Sequence, residues 1–212
     1  MGKTVVAAGL GLALRERGVR AVGFKPVETG ISGDEATDSF VLAAASGLDQ
    51  PLLHPLLRLP EPLAPAVAAE RAGLAFDPDA AVSRIHALRA AGYSLVVEGA
   101  GGLLVPLAWR FTALDLAVRS GLDAVVVARA GLGTLNHIAL TLEALARRKV
   151  RVQAVVLNGR GDPPDLAEAT NPAALARLFP EARVVVLPRQ TTTTPLETAR
   201  AIAPLLLAML PE

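Results

Sequence analysis

The chain predicts an α/β fold, a doubly wound and mostly parallel sheet with helices on both faces, in a single domain spanning residues 1–212. Three observations predict it. Five strand-like runs, in "AVGFKPV", "SLVVEG", "AVVVAR", "VQAVVLN" and "VVVL", are apolar without polar alternation, which burial on both faces explains. Each precedes a stretch of helical character, the order of a parallel sheet with crossover helices, and no internal repeat interrupts it. A domain of 212 residues also buries about 70 per cent of its unfolded surface, enough for a real core.

The elements follow in order. Gly2-Lys3-Thr4 opens a proline-free helix, "TVVAAGLGLALRERG", that stops at Gly18. "AVGFKPV" has the character of a buried strand broken by Pro26. The polar loop "ETGISGDEATD" leads into a helix through Ser39 to Ala45, and residues 50–66 are dense enough in proline to predict irregular backbone or short turns. From Pro78 the pattern becomes regular. The helix "DAAVSRIHALRAAG", the strand "SLVVEG", the glycine-rich "GAGGLLVPL" and the helix "ALDLAVRSG" come first. The strand "AVVVAR", the helix "LNHIALTLEALARRK", the strand "VQAVVLN", a short helix "NPAALARLF", the strand "VVVL" and the helix "LETARAIAPLLLAML" complete the chain.

Composition narrows the function. A net charge of +1 without a basic run gives no electrostatic reason to expect nucleic acid or an anionic membrane as partner. The absence of cysteine excludes disulfides, thiolate zinc and a cysteine nucleophile, and His54, His86 and His137 lie far apart in sequence. A metal here would be a hard cation held by oxygen. The apolar stretch "AIAPLLLAML" is about half the roughly 20 residues of a membrane span, so a cytoplasmic protein is expected. Richness in Ala, Leu, Arg and Pro suits a thermophile or a GC-rich genome. Only three lysines occur, Lys3, Lys25 and Lys149, and two fall in segments with chemical character.

Ligands of open parallel sheets bind beyond the carboxyl ends of the strands, so candidates are sought there. Gly2-Lys3-Thr4 matches the tail of G-x-x-x-x-G-K-[ST]; the tripeptide is common, but a helix starting at it offers free N–H groups to phosphate, with a Lys3 charge and a Thr4 hydroxyl for Mg²⁺. Lys25, at the end of a buried strand, is either a snorkelling lysine or an anion clamp, and the scarcity of lysine favours the clamp. Thr29 and Gly30 just beyond can add hydroxyl and backbone contacts. Glu98 ends an apolar strand before a glycine run, as a solvated strand-end glutamate or as a metal-ligating carboxylate. Asp38 reads by default as a helix N-cap. Asn158 is either a turn former or a carboxamide matched to the edge of adenine, and Asn136 is either a first-turn polar residue or a substrate contact.

Taken together, "GKT", "GFKPVETG", the acidic residue of "ATDSFVLA", "EPLAPAVAAERAG", "VVEGAGGLLVPL", "GLGTLNH" and "VVLNG" resemble, in order and spacing, the dethiobiotin synthetase family of P-loop NTPase-like ligases. The similarity covers nearly the whole chain and is weakest over the last thirty residues. It implies carboxylation and ring closure of 7,8-diaminononanoate with CO₂, through a carbamate and a carbamic-phosphoric anhydride, with ATP converted to ADP and phosphate. It further implies that Gly2 and Lys3 hold the ATP phosphates, that Thr4, Asp38 and Glu98 surround Mg²⁺, and that Lys25, with Thr29 nearby, stabilises the carbamate and the transferring phosphoryl group. Gly101 and Gly102 would bring backbone close to the reacting groups, and Asn158 and Pro188 would contact the nucleotide. Gly133 and Asn136 would bind the substrate's tail carboxylate across a two-fold homodimer interface.

The front departs from the family pattern. Members carry a strand and a G-T-D-T-x-V loop before the lysine, and Met1 stands at the valine position. The expectation is a native chain extending upstream by on the order of a dozen residues, and weak ATP binding with reduced stability for the 212-residue form. Two other readings are a switch ATPase of the partitioning or septum-placement type and a binding-only remnant. The first would carry a second lysine in the loop and a membrane helix or a DNA-binding surface, which this sequence does not display. A cobyrinic-acid-type amidotransferase would need a nucleophilic cysteine, and there is none.

Overall fold

The computed structural model of the protein describes residues 1–31, 37–48, 53–207 and 209. In chain order its elements are α1 (Lys3–Glu16), β1 (Ala21–Phe24), β2 (Val27–Thr29), α2 (Asp38–Ser46), β3 (Leu57–Leu59), α3 (Pro65–Arg71), α4 (Pro78–Ala90), β4 (Ser94–Val97), β5 (Pro106–Ala108), β6 (Phe111–Thr112), α5 (Ala113–Ser120), β7 (Ala124–Arg129), α6 (Thr134–Arg147), β8 (Val152–Arg160), α7 (Leu166–Leu178), β9 (Val184–Pro188) and α8 (Pro195–Leu207). The five predicted strands are β1, β4, β7, β8 and β9, all paired in parallel.

They form two separate pieces. β1 pairs with β4 from Ala21↔Ser94 to Phe24↔Val97, and β7, β8 and β9 form a second sheet in that order. The second edges of β4 and β7 pair with no strand among the described residues. A cavity of about 750 Å³ runs here, lined by Val97 at the end of β4, by Gly99 just beyond it and by all six residues of β7. A strand face contributes alternate residues, so an unbroken run of six marks the edge of β7 as the cavity wall.

Packing follows the two-sided burial read from the apolar runs. Along β8, Val155 and Leu157 join a cluster with Ile138 of α6 and Leu175 of α7. Val156, between them, points the other way into a cluster with Val6 and Ala13 of α1 and with Ile202 and Leu206 of α8. The β1–β4 piece has its own core, in which Val22 and Phe24 pack with Leu59, Ile85, Leu88, Leu107 and Leu116.

Several local expectations are corrected. "AVGFKPV" is two strands, because Pro26 has no N–H to donate; β1 ends at Phe24, and β2 leaves to pair in parallel with β3. Leu56 donates its N–H to the Pro26 carbonyl at 2.9 Å, fastening this crossover. Glu28 and Thr29, read as loop, are therefore strand, and the proline-dense segment holds β3 and α3, with Pro65 at the first helical turn, where its missing donor is harmless. The loop positions 32–36 lie outside the described residues, as do positions 49–52. The glycine-rich "GAGGLLVPL" runs into a short antiparallel hairpin, β5 with β6. α7 begins five residues before the predicted Asn171, since Asp165 and Glu168 form a reciprocal capping box, and Pro172 is carried inside the helix.

Candidate active site

α1 starts where the sequence has Gly2-Lys3-Thr4, and the start depends on glycine. Gly2 has φ 84°, and a Cβ there would fall 2.2 Å from Asn158 Nδ2. That amide donates to the Met1 carbonyl at 3.0 Å, tying the end of β8 to the chain entering α1. Thr4 is consequently held in the first turn, facing the ends of β1 and β4.

Those two strands end in register, so the next residue of each is a neighbour. Glu98 donates its backbone N–H to the Phe24 carbonyl at 2.9 Å, which brings its side chain beside Lys25. Both residues are buried, at 5 % exposure each, and Lys25 Nζ donates to Glu98 Oε1 at 3.1 Å. Asp38 closes the cluster from α2. It is not the N-cap, which corrects the default reading; Thr37 takes that place and accepts the Phe40 N–H, leaving the Asp38 carboxylate free to turn inward. One Asp38 oxygen accepts from Lys25, and the other lies 2.8 Å from Thr4 Oγ1, which is also 2.9 Å from Glu98 Oε1.

Burial and charge act on these groups in different proportions. Burial alone would lower Lys25, but the charges and hydrogen bonds of Glu98 and Asp38 outweigh it and hold the ammonium above the usual lysine range. Asp38 is pushed up by burial, yet its hydrogen bond and charge pairing with Lys25, the Thr4 hydroxyl and the Lys3 charge bring it below the ordinary carboxylate range. Glu98 is raised, because its desolvation, helped by the Asp38 charge, exceeds what Lys25 and Thr4 return.

The donor set suits a hard cation. Glu98 Oε2 is buried with no hydrogen-bond partner among the described residues, beside a second carboxylate and a hydroxyl. No group of three His, Cys, Asp or Glu capable of holding a metal occurs among the described residues, so two carboxylates and a hydroxyl would need oxygens from elsewhere. Magnesium is commonly bound in that way, by one or two carboxylates completed by phosphate oxygens and water.

The remaining sequence candidates are spread over several elements. Lys3, Gly101, Gly102 and Gly133 line the same cavity as the edge of β7. Gly101 has φ 72° and a Cβ there would approach Val105 Cγ2 to 2.9 Å, so the tight turn after Glu98 demands glycine. Gly133 is the N-cap of α6 with φ 86°. Pro188 ends β9 in register with Arg160, two residues past Asn158. Thr29 ends β2, and Asn136 is exposed in the first turn of α6 outside the cavity lining; among the described residues neither is hydrogen-bonded to the Lys25 cluster.

Among the buried polar residues that sequence reasoning passed over are Glu28 and Asn171. Glu28, 2 % exposed on β2, accepts the Ser39 N–H at 2.6 Å and the Ser39 hydroxyl at 2.7 Å. Asn171 on α7 donates to the carbonyls of Ala130 and Gly131 at 2.7 and 3.1 Å, fixing the loop that leads to Gly133. Glu28 stands in a polar-looking stretch that gives no strand signal, and Asn171 before proline reads as a helix start.

Comparison with known proteins places this geometry in context. A family model described as an AAA domain matches residues 1–197. The chain is 45% identical over 190 residues, 89% of its length and 85% of the relative's, to the ATP-dependent dethiobiotin synthetase BioD of Anaeromyxobacter dehalogenans strain 2CP-C. It is 46% identical over 181 residues, 84% of its length and 78% of the relative's, to the protein of the same name from Mycobacterium tuberculosis strain ATCC 25177 / H37Ra.

Proposed function

The chain belongs to the ATP-dependent dethiobiotin synthetase family, and from that membership we propose that it closes the ureido ring of dethiobiotin on 7,8-diaminononanoate, using CO₂ and ATP in the manner of a cyclo-ligase. The observation that carries the proposal is the convergence of Lys25, Thr4, Asp38 and Glu98 at the first turn of α1.

The chemistry asks for neutralised charge and alignment rather than a protein nucleophile. One amine of the diamine adds to CO₂, losing a proton and giving a carbamate. A carbamate oxygen then attacks the γ-phosphorus of ATP and ADP leaves. The second amine attacks the carbamoyl carbon, phosphate departs with the C–O electron pair, and loss of the amine proton completes the cyclic urea. Lys25 serves the first two steps. It is protonated and buried, so its charge acts on carbamate and phosphoryl oxygens in a poorly screened setting. Lys3 and the N–H groups at the start of α1 hold the phosphate chain, and the glycines after Glu98 let backbone approach it. Mg²⁺ held by Thr4, Asp38 and Glu98 would supply charge neutralisation at the phosphates. Asn158 and Pro188 are assigned to the adenine, and Thr29, Gly133 and Asn136 to the diamine substrate.

The proposed working form is a cytoplasmic homodimer with the substrate tail near its interface. Leu132, Leu140 and Leu104 support this, being 93%, 57% and 61% exposed at the cavity that Gly133 lines. No helix among the described residues is long and apolar enough to cross a membrane.

The test is ADP release measured with each substrate omitted in turn. The expected result is release that requires both the diamine and bicarbonate and falls by about 10²–10³-fold in Lys25→Met, the scale of losing one preorganised charge or donor. Turnover indifferent to the diamine would instead identify a switch ATPase, and no turnover a binding-only remnant.

A further inference from the structure

We propose that Glu28 is a positioning residue that sets the Asp38 carboxylate for metal binding; this rests on the reading of Thr4, Asp38 and Glu98 as the magnesium ligands. Glu28 touches none of the reacting groups. It acts through Ser39, the residue next to Asp38, whose N–H meets Glu28 Oε1 at 2.6 Å and whose hydroxyl meets Oε2 at 2.7 Å. The two-point grip fixes both the position and the rotation of the first turn of α2. Thr37 Oγ1 takes the following donor, the Phe40 N–H, so the turn is anchored at successive residues. Asp38, at the start of that turn, keeps both oxygens for Thr4 and Lys25.

Burial argues that the grip has a use. A carboxylate at 2 % exposure is expensive unless it is fully bonded, and the only cation paired with it among the described residues, Arg58, is half-exposed with Nε 3.6 Å from Oε2. A glutamate whose neighbours in β2 are Val27 and Thr29 would be replaced without loss by an apolar residue if packing alone mattered. The path is also short. Lys25, Pro26, Val27 and Glu28 are consecutive and all buried, so four residues of backbone between the end of β1 and β2 link the ammonium of the site to the turn that carries its acidic partner. Groups that orient a metal ligand in this way typically change metal affinity by about 10–100-fold when removed.

The experiment compares Glu28→Ala, Glu28→Gln and Asp38→Ala in the full chain. Two quantities are read: the binding of Mn²⁺ with ATP by electron paramagnetic resonance in the absence of turnover, and the Mg²⁺ concentration giving half-maximal ADP release. The expected result for Glu28→Ala is a weakening of both by about tenfold, with kcat at saturating metal held within about twofold. Glu28→Gln, which keeps one acceptor for Ser39, should fall between it and the parent and carries the test if the alanine variant does not fold. Metal affinity lost in Asp38→Ala but unchanged in the Glu28 variants, with only a lower melting temperature, overturns the positioning role alone. Unchanged Mn²⁺ affinity in Asp38→Ala overturns the ligand assignment, and the proposal with it.

Discussion

Glu98 and Asp38 face the same ammonium, yet the fold favours the charge of one and penalises that of the other. Asp38 is lowered, so it stabilises the protein above its unfolded pKa of about 3.9, and this contribution is lost as pH falls through its lower folded value. Glu98 is raised. Its ionisation destabilises the fold, starting as pH rises above about 4.3 and reaching full effect above its folded pKa. Lys25 is raised, and its stabilisation, whole below about pH 10.4, disappears as pH climbs through the folded value. The two neutral amides should therefore differ at pH 7. Glu98→Gln should keep the higher melting temperature of the two, while ADP release drops by about 10²–10³-fold. Asp38→Asn should lower both; a melting scan in which Glu98→Gln is the less stable variant would contradict this account. Lys25 and Glu98 were legible in the sequence because a charged residue directly after an apolar run is conspicuous. Glu28 was not, since its burial comes from a three-residue strand whose partner is 30 positions away.

Among the elements, the contact of α1 with α8 shows how glycine can be required at one position and dispensable two residues on. A Cβ on Gly9 would meet Ile202 Cγ1 and Leu206 Cδ1 at 3.0 Å and the Ala199 carbonyl at 3.1 Å, a backbone atom that cannot yield easily. Gly11 meets nothing within 4 Å. Gly11→Ala should thus stabilise by about 0.5–1 kcal/mol through helix propensity. Gly9→Ala should lose that gain to overpacking and destabilise by about 1 kcal/mol net. Urea midpoints for the two variants check this, and equal shifts of one sign would refute it. The five long-run strands could be read from the sequence because burial on both faces leaves uninterrupted Val and Leu. β2, β3, β5 and β6, at two or three residues each, are too short to carry a period, and they depend on partners found only in three dimensions. α7 was shortened for a different reason: the signal of Asn171-Pro172 as a helix start hid the capping box upstream.

At the scale of the molecule, the strand order within each piece follows from pairing, whereas the division between β4 and β7 could not be seen in any single run of residues. Each piece has its own buried cluster: Phe24, Ile85 and Leu88 on one side, Val155, Leu157 and Leu175 on the other. No ladder hydrogen bonds join them among the described residues, and α1 bridges them by packing Val6 and Ala13 toward β8 and α8 and Ala8 toward Val41 and Leu42 of α2. Lys3 and Thr4 stand at the head of that bridge. Cooperativity is the property this arrangement puts at risk. Heat should melt the two halves in separable steps, visible in scanning calorimetry as a van't Hoff enthalpy below the calorimetric one. Mg-ATP, if held by the residues proposed for it on both flanks of the seam, should draw the two steps into a single sharper peak.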